Sequence, residues 1–255
     1  MAHRFEGKKA IVTGGSRGIG RAIAIGLARE GADVCIGYSS SEKEAAEVVR
    51  EVQGLGRKGY MVRVDQANLD EAVPFAERCI SLLGGVDVLV NNAGICPFKP
   101  FFEIDKDLLV KVMNVNFLSH FLITQVVARH MVSHGVRGRI LMISSISAHV
   151  GGLLQTHYTP TKSALNGLVH SLAIALGPHG ILVNSLEPGT IVTDINREDL
   201  SDQEKRRYME KRTVLGRLGD PEDMVGPALF LLSDENTYTT GTSLLSDGGM
   251  LVNLQ

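Results

Sequence analysis

Residues 10–28 have the sequence AIVTGGSRGIGRAIAIGLA, and this stretch decides the fold. Ala10-Ile11-Val12 is a short apolar, partly β-branched run of the kind found in strands. A GxxxGxG turn follows with glycines at 14, 18 and 20, and apolar residues then recur at helical spacing. A helix N-terminus offers free N–H groups, and glycine lets the backbone approach a pyrophosphate closely. We therefore predict a dinucleotide-binding turn here rather than only a tight turn.

Strand patterns alternate with helix patterns along the rest of the chain. Further strands are predicted at 34–37, 60–64, 86–90, 139–143, 181–186 and 242–245. Further helices are predicted at 41–53, 68–83, 105–131, 156–176, 202–212 and 221–232. Alternating βα units with right-handed crossovers give a parallel sheet with helices on both faces. The sequence therefore predicts an α/β fold: a single-domain, doubly wound parallel sheet of the Rossmann type over residues 1–255.

Composition and charge exclude several classes of protein. A net charge of −2 provides no basic surface for nucleic acid or for an anionic membrane. No apolar run approaches the roughly 20 residues of a membrane span, and residues 1–7 lack the apolar region of a signal peptide. Cys35, Cys79 and Cys96 are far apart, which argues against a disulfide framework or a zinc site. We expect an uncleaved cytoplasmic protein without a metal.

A second informative stretch is Tyr158-Thr159-Pro160-Thr161-Lys162, which follows Ser144-Ser145 after 12 intervening residues. On a helix, the four-residue spacing places Tyr158 and Lys162 on one face. A neighbouring ammonium group favours the phenolate, so we expect the pKa of Tyr158 to fall below its ordinary value near 10. Such a tyrosine can take a proton from an alcohol or return one to a carbonyl. The YxxxK pattern alone is more typical of an exposed pair at a helix start, because it is common by chance.

Small and polar residues collect at the carboxyl ends of the predicted strands. Five such groups are the glycine turn at 14–20, Asp65-Gln66, residues 91–94, Ser145 and Pro188-Gly189-Thr190. In a parallel sheet these ends meet at one edge, and ligands bind in the crevice outside it. The convergence of five segments predicts the functional site at this edge and favours an active Tyr158–Lys162 pair.

The motifs TGGSRGIG, NNAG, NVN, ISS, YxxxK and PGT, in this order and spacing, resemble the short-chain dehydrogenases/reductases. The resemblance runs from Gly7 to Gly249. It implies a nicotinamide cofactor, a small-molecule substrate and, commonly, a homotetramer. The catalytic residues that it implies are Asn116, Ser145, Tyr158 and Lys162.

Each of these four residues has an implied role. Asn116 would organise a proton-relay water, and Ser145 would steady the substrate oxygen. Tyr158 would be the acid/base, and Lys162 would bind the ribose and acidify Tyr158. The other asparagine of NVN, Asn114, is expected to be structural, because the family places its catalytic asparagine before an apolar and small run, here 117–119.

The residues expected to bind the cofactor follow the same motifs. They are Gly14, Ser16, Arg17, Gly18, Ile19, Gly20, Ser39, Ser40, Asp65, Gln66, Asn92, Ala93, Gly94, Tyr158, Lys162, Pro188, Gly189, Ile191 and Thr193. The second strand ends at residues 38–41 without a carboxylate that would repel a 2′-phosphate. The fork of Arg17 suits such a phosphate, although Arg17 could also be a solvated turn residue. NADP is therefore the preferred cofactor, with NAD also accepted.

Three segments are expected to wall the substrate pocket: residues 95–102, 146–155 and 190–200. The candidate substrate-binding residues are Ser145, Gln155, Tyr158, Thr190, Asn196 and Phe98. They combine an aromatic face with hydrogen-bonding groups, a mixture that suits a sugar. Phe101 and Phe102 are expected in the core, and His149 and Arg197 could equally lie on the surface. The mixed charges of 202–212 predict a solvated face.

Further stretches resemble family members that oxidise L-rhamnose at C1. They are the Thr-Pro-Thr between Tyr158 and Lys162 and residues 188–191, 198–200, 204–206, 208–210 and 252–255. This implies oxidation of the anomeric hydroxyl of L-rhamnose, or of a related aldose, to the lactone. One alternative is a 3-oxoacyl-carrier-protein reductase or another sugar or polyol dehydrogenase. The second alternative is a non-catalytic nucleotide-sensing protein, against which the intact catalytic set speaks.

Overall fold

The computed structural model describes residues 3–253, so Leu254 and Gln255 of the last resembling stretch lie outside it. Its strands are β1 (Lys9–Val12), β2 (Asp33–Tyr38), β3 (Gly59–Arg63), β4 (Val88–Asn91), β5 (Arg139–Ile143), β6 (Leu182–Pro188) and β7 (Ser243–Ser246). They form one sheet in the order β3-β2-β1-β4-β5-β6-β7, and every neighbouring pair is parallel. The order reverses direction between β1 and β4, which confirms the predicted doubly wound sheet.

Within residues 3–253, the sheet is accompanied by eight α-helices. They are α1 (Gly18–Arg29), α2 (Glu42–Gly54), α3 (Ala72–Leu83), α4 (Lys106–Met113), α5 (Ser119–Ser133), α6 (Thr159–Leu176), α7 (Gln203–Arg212) and α8 (Val225–Leu232). Single 3₁₀ turns lie at Leu69–Glu71, Phe101–Glu103, Ile146–Ala148, Gly177–His179, Asp199–Ser201 and Pro221–Met224. Among the residues described, no helix is both long and apolar enough to cross a bilayer.

The sheet separates two apolar cores, because successive side chains of a strand point to opposite faces. Val12 of β1 packs in the core that contains Ile23 and Leu27 of α1. The adjacent Ile11 packs in the other core, with the buried side chains of α3, α5 and α6. Both cores end at the carboxyl edge of the sheet. The sheet and its two helix layers therefore form a rigid base that leaves this edge for the site.

The helix predicted over 105–131 is present, but it is not α-helical throughout. Helices α4 and α5 are joined by a π-helical turn, Asn114–Leu118, which carries Asn116. Such turns carry an i→i+5 hydrogen bond and recur at functional sites. Asp105 caps α4 by accepting a hydrogen bond from the Leu108 N–H at 2.8 Å. Within this turn, the Asn116 side chain hydrogen-bonds to the backbone of Ile95, in the segment after β4.

The prediction that Phe101 and Phe102 pack in the core is wrong. Their side chains are 62% and 96% exposed. They occupy a 3₁₀ turn, and the two rings contact each other edge to face with their centroids 5.2 Å apart. A large apolar residue is not buried by its type alone, because folded surfaces also carry much apolar area.

Candidate active site

A cavity of about 1150 Å³ opens at the carboxyl ends of the strands. Of the predicted cofactor residues, those that line it are Gly14, Ser16, Arg17, Gly18, Ile19, Ser39, Ser40, Asp65, Gln66, Asn92, Ala93, Gly94, Tyr158, Lys162, Pro188, Gly189, Ile191 and Thr193. Small-molecule sites commonly measure roughly 300–1,000 Å³. The cavity is therefore large enough for a dinucleotide together with a small second ligand.

Tyr158 and Lys162 lie on the same face at the start of α6. Tyr158 is the N-cap residue, and Pro160 sits in the first turn, where a missing N–H costs no helical hydrogen bond. The Lys162 Nζ lies 5.5 Å from the centroid of the Tyr158 ring and donates to the Ile143 carbonyl at 2.8 Å. The ammonium group is thus anchored to the end of β5 beside the phenol.

The pKa of Tyr158 differs from the expectation. Loss of hydration raises it above its ordinary value of 10, and the nearby Cys96 acts in the same direction. A hydrogen bond with the Ser145 side chain lowers it, but by less. The expectation that the neighbouring Lys162 brings this pKa below 10 is therefore wrong, because burial raises the pKa of Tyr158 by more than the hydrogen bond with Ser145 lowers it. Burial also lowers the pKa of Lys162, to about 8.

Ser145 and Asn116 hold the surrounding segments in place. The Ser145 Oγ accepts a hydrogen bond from the Ser147 N–H at 3.0 Å, at the start of the segment after β5. The Asn116 amide donates to the Ile95 carbonyl at 3.0 Å and accepts from the Ile95 N–H at 2.9 Å. It also donates to Thr161 Oγ1 at 3.2 Å. Asn116 therefore sits behind the cavity wall and ties the segment after β4 to the catalytic helix.

The glycine turn is built to bring backbone close to a ligand. Gly14 and Gly18 have φ angles of +61° and +54°, which favour glycine. A Cβ on Gly14 would lie 2.9 Å from the Ala93 Cα. Arg17, at the N-cap of α1, makes no capping hydrogen bond, so its side chain leaves the first N–H groups of α1 available to an anion. These features fit the pyrophosphate of a dinucleotide.

Gly20 was expected to bind the cofactor but does not line the cavity. A Cβ there would lie 2.4 Å from both the Asn92 Nδ2 and the Gly14 carbonyl oxygen. Asn92 uses the same amide to donate to the Thr13 and Gly14 carbonyls at 2.9 and 3.0 Å. Glycine is required at position 20 because α1 packs against this amide.

The cavity wall near the end of β2 contains hydroxyl groups and one guanidinium. Ser39 and Ser40 line it, and Arg17 of the glycine turn lines the same cavity. The Arg17 Nη1 lies 3.4 Å from Asp194 Oδ2, on the segment after β6. Asp65 lines the same region, and its Oδ1 accepts from the Ala67 N–H at 3.0 Å. No acidic residue stands at positions 38–41, as the sequence indicated.

All six predicted substrate residues line the cavity, but their polar groups are not equally available. Gln155 donates to the Cys96 Sγ at 3.5 Å. Asn196 accepts from the Thr193 N–H at 3.0 Å and donates to the Ile191 carbonyl at 2.8 Å. Both ends of the Asn196 amide therefore stabilise its own loop, and its contact with substrate stays a prediction.

Cys96 and Lys205 are two of the cavity residues that the sequence analysis did not single out. Cys96 lies beside Gln155, and burial raises the pKa of its thiol to about 11, so it stays protonated near neutral pH. Lys205 of α7 pairs with Asp199, and its Nζ lies 5.7 Å from the centroid of the Phe98 ring. The expectation that the mixed charges of α7 form a solvated face is therefore incomplete, because Lys205 lines the cavity. The position of Cys96 within the predicted pocket segment 95–102 was the available signal.

Comparison with known proteins agrees with this geometry. The short-chain dehydrogenase family model described as enoyl-(acyl carrier protein) reductase matches residues 14–251. A Thermoplasma acidophilum protein named L-rhamnose 1-dehydrogenase (NADP(+)) is 64% identical over 251 residues, which cover 98% of this chain and 99% of the relative. A Sphingomonas protein named L-rhamnose 1-dehydrogenase (NAD(P)(+)) is 52% identical with the same coverage.

Solved structures of similar proteins agree with this fold as well. A proposed NAD(P)-dependent gluconate 5-dehydrogenase from Beutenbergia cavernae, with bound NADP at low occupancy, has a TM-score of 0.93 and 37% identity, covering 99% of this chain and 100% of that one. A proposed short-chain alcohol dehydrogenase from Sinorhizobium meliloti 1021 has a TM-score of 0.95 and 31% identity, with full coverage of both chains. The chain therefore belongs to the short-chain dehydrogenase/reductase family.

Proposed function

We propose that this protein oxidises the anomeric hydroxyl of L-rhamnose, or of a related aldose, to the lactone, with NADP as the preferred cofactor and NAD as an accepted one. The observation that carries the proposal is the position of Tyr158 and Lys162 on one wall of a cavity that the glycine turn also lines. Two relatives at 64% and 52% identity carry the name L-rhamnose 1-dehydrogenase, which supports this substrate.

The proposed mechanism assigns proton transfer to side chains of this chain. Ser145 donates a hydrogen bond that positions the sugar oxygen, and the Tyr158 phenolate removes the proton of the anomeric hydroxyl. The Lys162 cation, beside the ring, stabilises the phenolate, and Asn116 holds the neighbouring backbone. NADP, when bound, supplies the acceptor for the hydride on C1. Within residues 3–253, no group of three or more His, Cys, Asp or Glu side chains is placed to hold a metal ion.

The alternative function, a 3-oxoacyl-carrier-protein reductase, is weaker. The basic patch that would bind an acidic carrier protein is partly neutralised by neighbouring acids. Lys205 pairs with Asp199, and the Arg206 Nε lies 3.0 Å from Glu210 Oε1. An acidic carrier protein would have to compete with these acids for the same cations. A non-catalytic nucleotide-sensing protein would not require Tyr158 and Ser145 at the cavity wall.

A substrate panel tests the proposed function directly. With NADP, we expect kcat/KM for L-rhamnose to exceed that for ordinary aldoses such as glucose by at least about tenfold, because a pocket lined by hydrogen-bonding groups discriminates by shape and hydroxyl pairing. Absorbance at 340 nm measures cofactor reduction, and trapping with hydroxylamine identifies the lactone. Absence of turnover with every aldose, or faster turnover of a 3-oxoacyl thioester, would exclude the sugar assignment.

Arg17→Ala is expected to raise the KM for NADP by about tenfold or more and to leave the KM for NAD within about twofold. Only NADP carries a 2′-phosphate, and a hydrogen bond to a charged group contributes roughly 1.5–3 kcal/mol. Arg21→Ala is the matched control, because Arg21 pairs with Glu51 at 2.6 Å and does not line the cavity. Equal effects of Arg17→Ala on both cofactors would refute the assignment.

We also propose that the protein is a homotetramer. Apolar side chains are exposed along α4, the π-helical turn and α5, and they include Leu109, Val110, Leu118 and Phe121; Ile174 of α6 is 79% exposed. Exposed apolar side chains of this kind favour association between copies of one chain. Light scattering should therefore give four times the 27.5 kDa mass of the chain. A particle with the mass of one chain would contradict the proposal.

We infer a cytoplasmic location from the state of the cysteines. Cys35 and Cys79 are buried free thiols that hydrogen-bond to each other. Neighbouring thiols that remain unpaired fit a reducing compartment. We further propose that the chain works as a single domain, with its one site at the carboxyl edge of the sheet.

A further inference from the structure

Glu187 is a buried carboxylate that the proposed mechanism does not use. It lies on β6, and its side chain is 1% exposed. Burial of an ionised carboxylate is costly unless both oxygens are paired. The His149 Nε2 lies 2.6 Å from Glu187 Oε2, and the Asn166 amide donates to Glu187 Oε1 at 2.5 Å. The carboxylate is thus held between two partners from other segments.

These partners connect three segments of the candidate active site. His149 follows the 3₁₀ turn that begins directly after Ser145. Asn166 lies one helical turn beyond Lys162 on α6, and Glu187 directly precedes Pro188. One carboxylate therefore joins the loop after β5, the catalytic helix and the strand that leads to the proposed cofactor segment.

The orientation of the Asn166 amide is itself determined. Its Oδ1 accepts a hydrogen bond from the Ser185 Oγ at 3.3 Å, so its NH₂ group faces Glu187. The Ser185 hydroxyl also contacts the Ser243 hydroxyl at 2.7 Å, on the neighbouring strand β7. These hydrogen bonds fix the position of the Glu187 carboxylate. The position of the loop that carries His149 then depends on the contact between His149 and Glu187.

That loop forms the sugar side of the cavity. Residues 150–155 line the cavity directly after His149, and they include Gly151 and Gly152. The far end of the loop is held by Gln155, whose Oε1 accepts from the Ser147 Oγ at 3.4 Å and whose amide donates to Cys96. The His149–Glu187 contact holds the near end. A loop attached at both ends presents Gln155 in one position.

We propose that Glu187 is a positioning residue that acts through His149. It holds loop 149–155 against β6 and so determines the affinity for the sugar, while cofactor binding and proton transfer proceed without it. Because the carboxylate accepts, the contact places the proton on His149 Nε2. This inference rests on the proposed function for the identity of the sugar, but the attachment of the loop does not depend on it.

His149→Leu is the primary test, since the His149 side chain is 43% exposed and tolerates replacement better than buried Glu187. We expect the KM for L-rhamnose to rise about tenfold, the loss of one charge-assisted hydrogen bond, with kcat and the KM for NADP within about twofold. His149→Gln retains an N–H at the same reach and should restore the KM. An unchanged sugar KM, or equal changes in both KM values, would overturn the proposal.

Hydrogen exchange on the NADP-bound protein separates this inference from the proposed function. In His149→Leu, amides of residues 149–155 should exchange at least about fivefold faster, while those of residues 14–20 keep their rates. Glutamine at position 149 should return the loop to the wild-type rate. If wild type turns over no aldose, the proposed function fails, and the exchange rates still decide the inference. Unchanged loop exchange in His149→Leu would overturn it.

Discussion

Replacement of Tyr158 by phenylalanine is expected to lower kcat for sugar oxidation by about 10³-fold, because a positioned acid/base group contributes roughly 10²–10⁴-fold. Among the residues that the structure describes, no other phenol lines the cavity beside Ser145 and Lys162. The substitution removes one oxygen and leaves the ring against Lys162. Steady-state assays at saturating sugar and NADP measure the effect. The loss should therefore appear in kcat.

Cofactor binding provides the control for Tyr158→Phe. The glycine turn and the segments after β4 and β6 all line the cavity, and none of them depends on the phenol oxygen. Titration of NADPH fluorescence should give a dissociation constant within about twofold of the wild type. Turnover near the wild-type rate would exclude Tyr158 as the acid/base.

The pH profile follows from the direction of the Tyr158 pKa. Oxidation requires the phenolate, and the raised pKa keeps the phenol protonated near neutral pH. Wild-type kcat/KM for oxidation should therefore increase with pH above 7, by up to tenfold per unit until the pKa of the bound state is reached. Tyr158→Phe should lack this increase, because the titrating group is gone.

The fold could be predicted because its determinants are local. The apolar strand runs are short and bounded, and the glycine turn at 14–20 permits one connection between β1 and α1. The predicted strand bounds agree with the structure to within about two residues. The π-helical turn at Asn114–Leu118 was not predictable, because it accompanies contacts of Asn116 with Ile95 and Thr161 that are distant in sequence.

The composition of the candidate site was also predictable, but its electrostatics were not. The sequence places Lys162 one turn from Tyr158, which is a matter of spacing. The sequence does not show how deeply the two side chains are buried. Burial is the largest cause of the rise in the pKa of Tyr158 and of the fall in the pKa of Lys162. The partners of Glu187 likewise depend on how the loop after β5 and helix α6 pack against β6, which no local pattern encodes.

Lys162→Met is expected to lower kcat by about 10³-fold and, at pH 7, to raise the free energy of unfolding. Lys162 is 3% exposed, and burial lowers its pKa to about 8 from 10.5. The difference corresponds to about 3 kcal/mol against the charged form in the folded protein. Loss of the bond to the Ile143 carbonyl offsets part of this gain, so we expect a net increase of about 1–2 kcal/mol.

The difference in stability between Lys162→Met and the wild type depends on pH. Below pH 8 both folded and unfolded chains carry the charged lysine, so the folded state bears the full penalty. Between pH 8 and 10.5 only the unfolded chain binds that proton, so the stability of the wild type rises relative to Lys162→Met. Urea unfolding at pH 7, 8, 9 and 10 should therefore show the advantage of the variant shrinking above pH 8.

Lys43→Met on α2 is the matched control for this stability measurement, because Lys43 is exposed and its replacement should give a difference from wild type that does not vary over the same pH range. A Lys162→Met variant less stable than wild type at pH 7, with a difference that stays constant up to pH 10, would contradict a buried ammonium group. The predicted combination, a less active but more stable protein, is the behaviour of a charge retained for catalysis at the expense of folding.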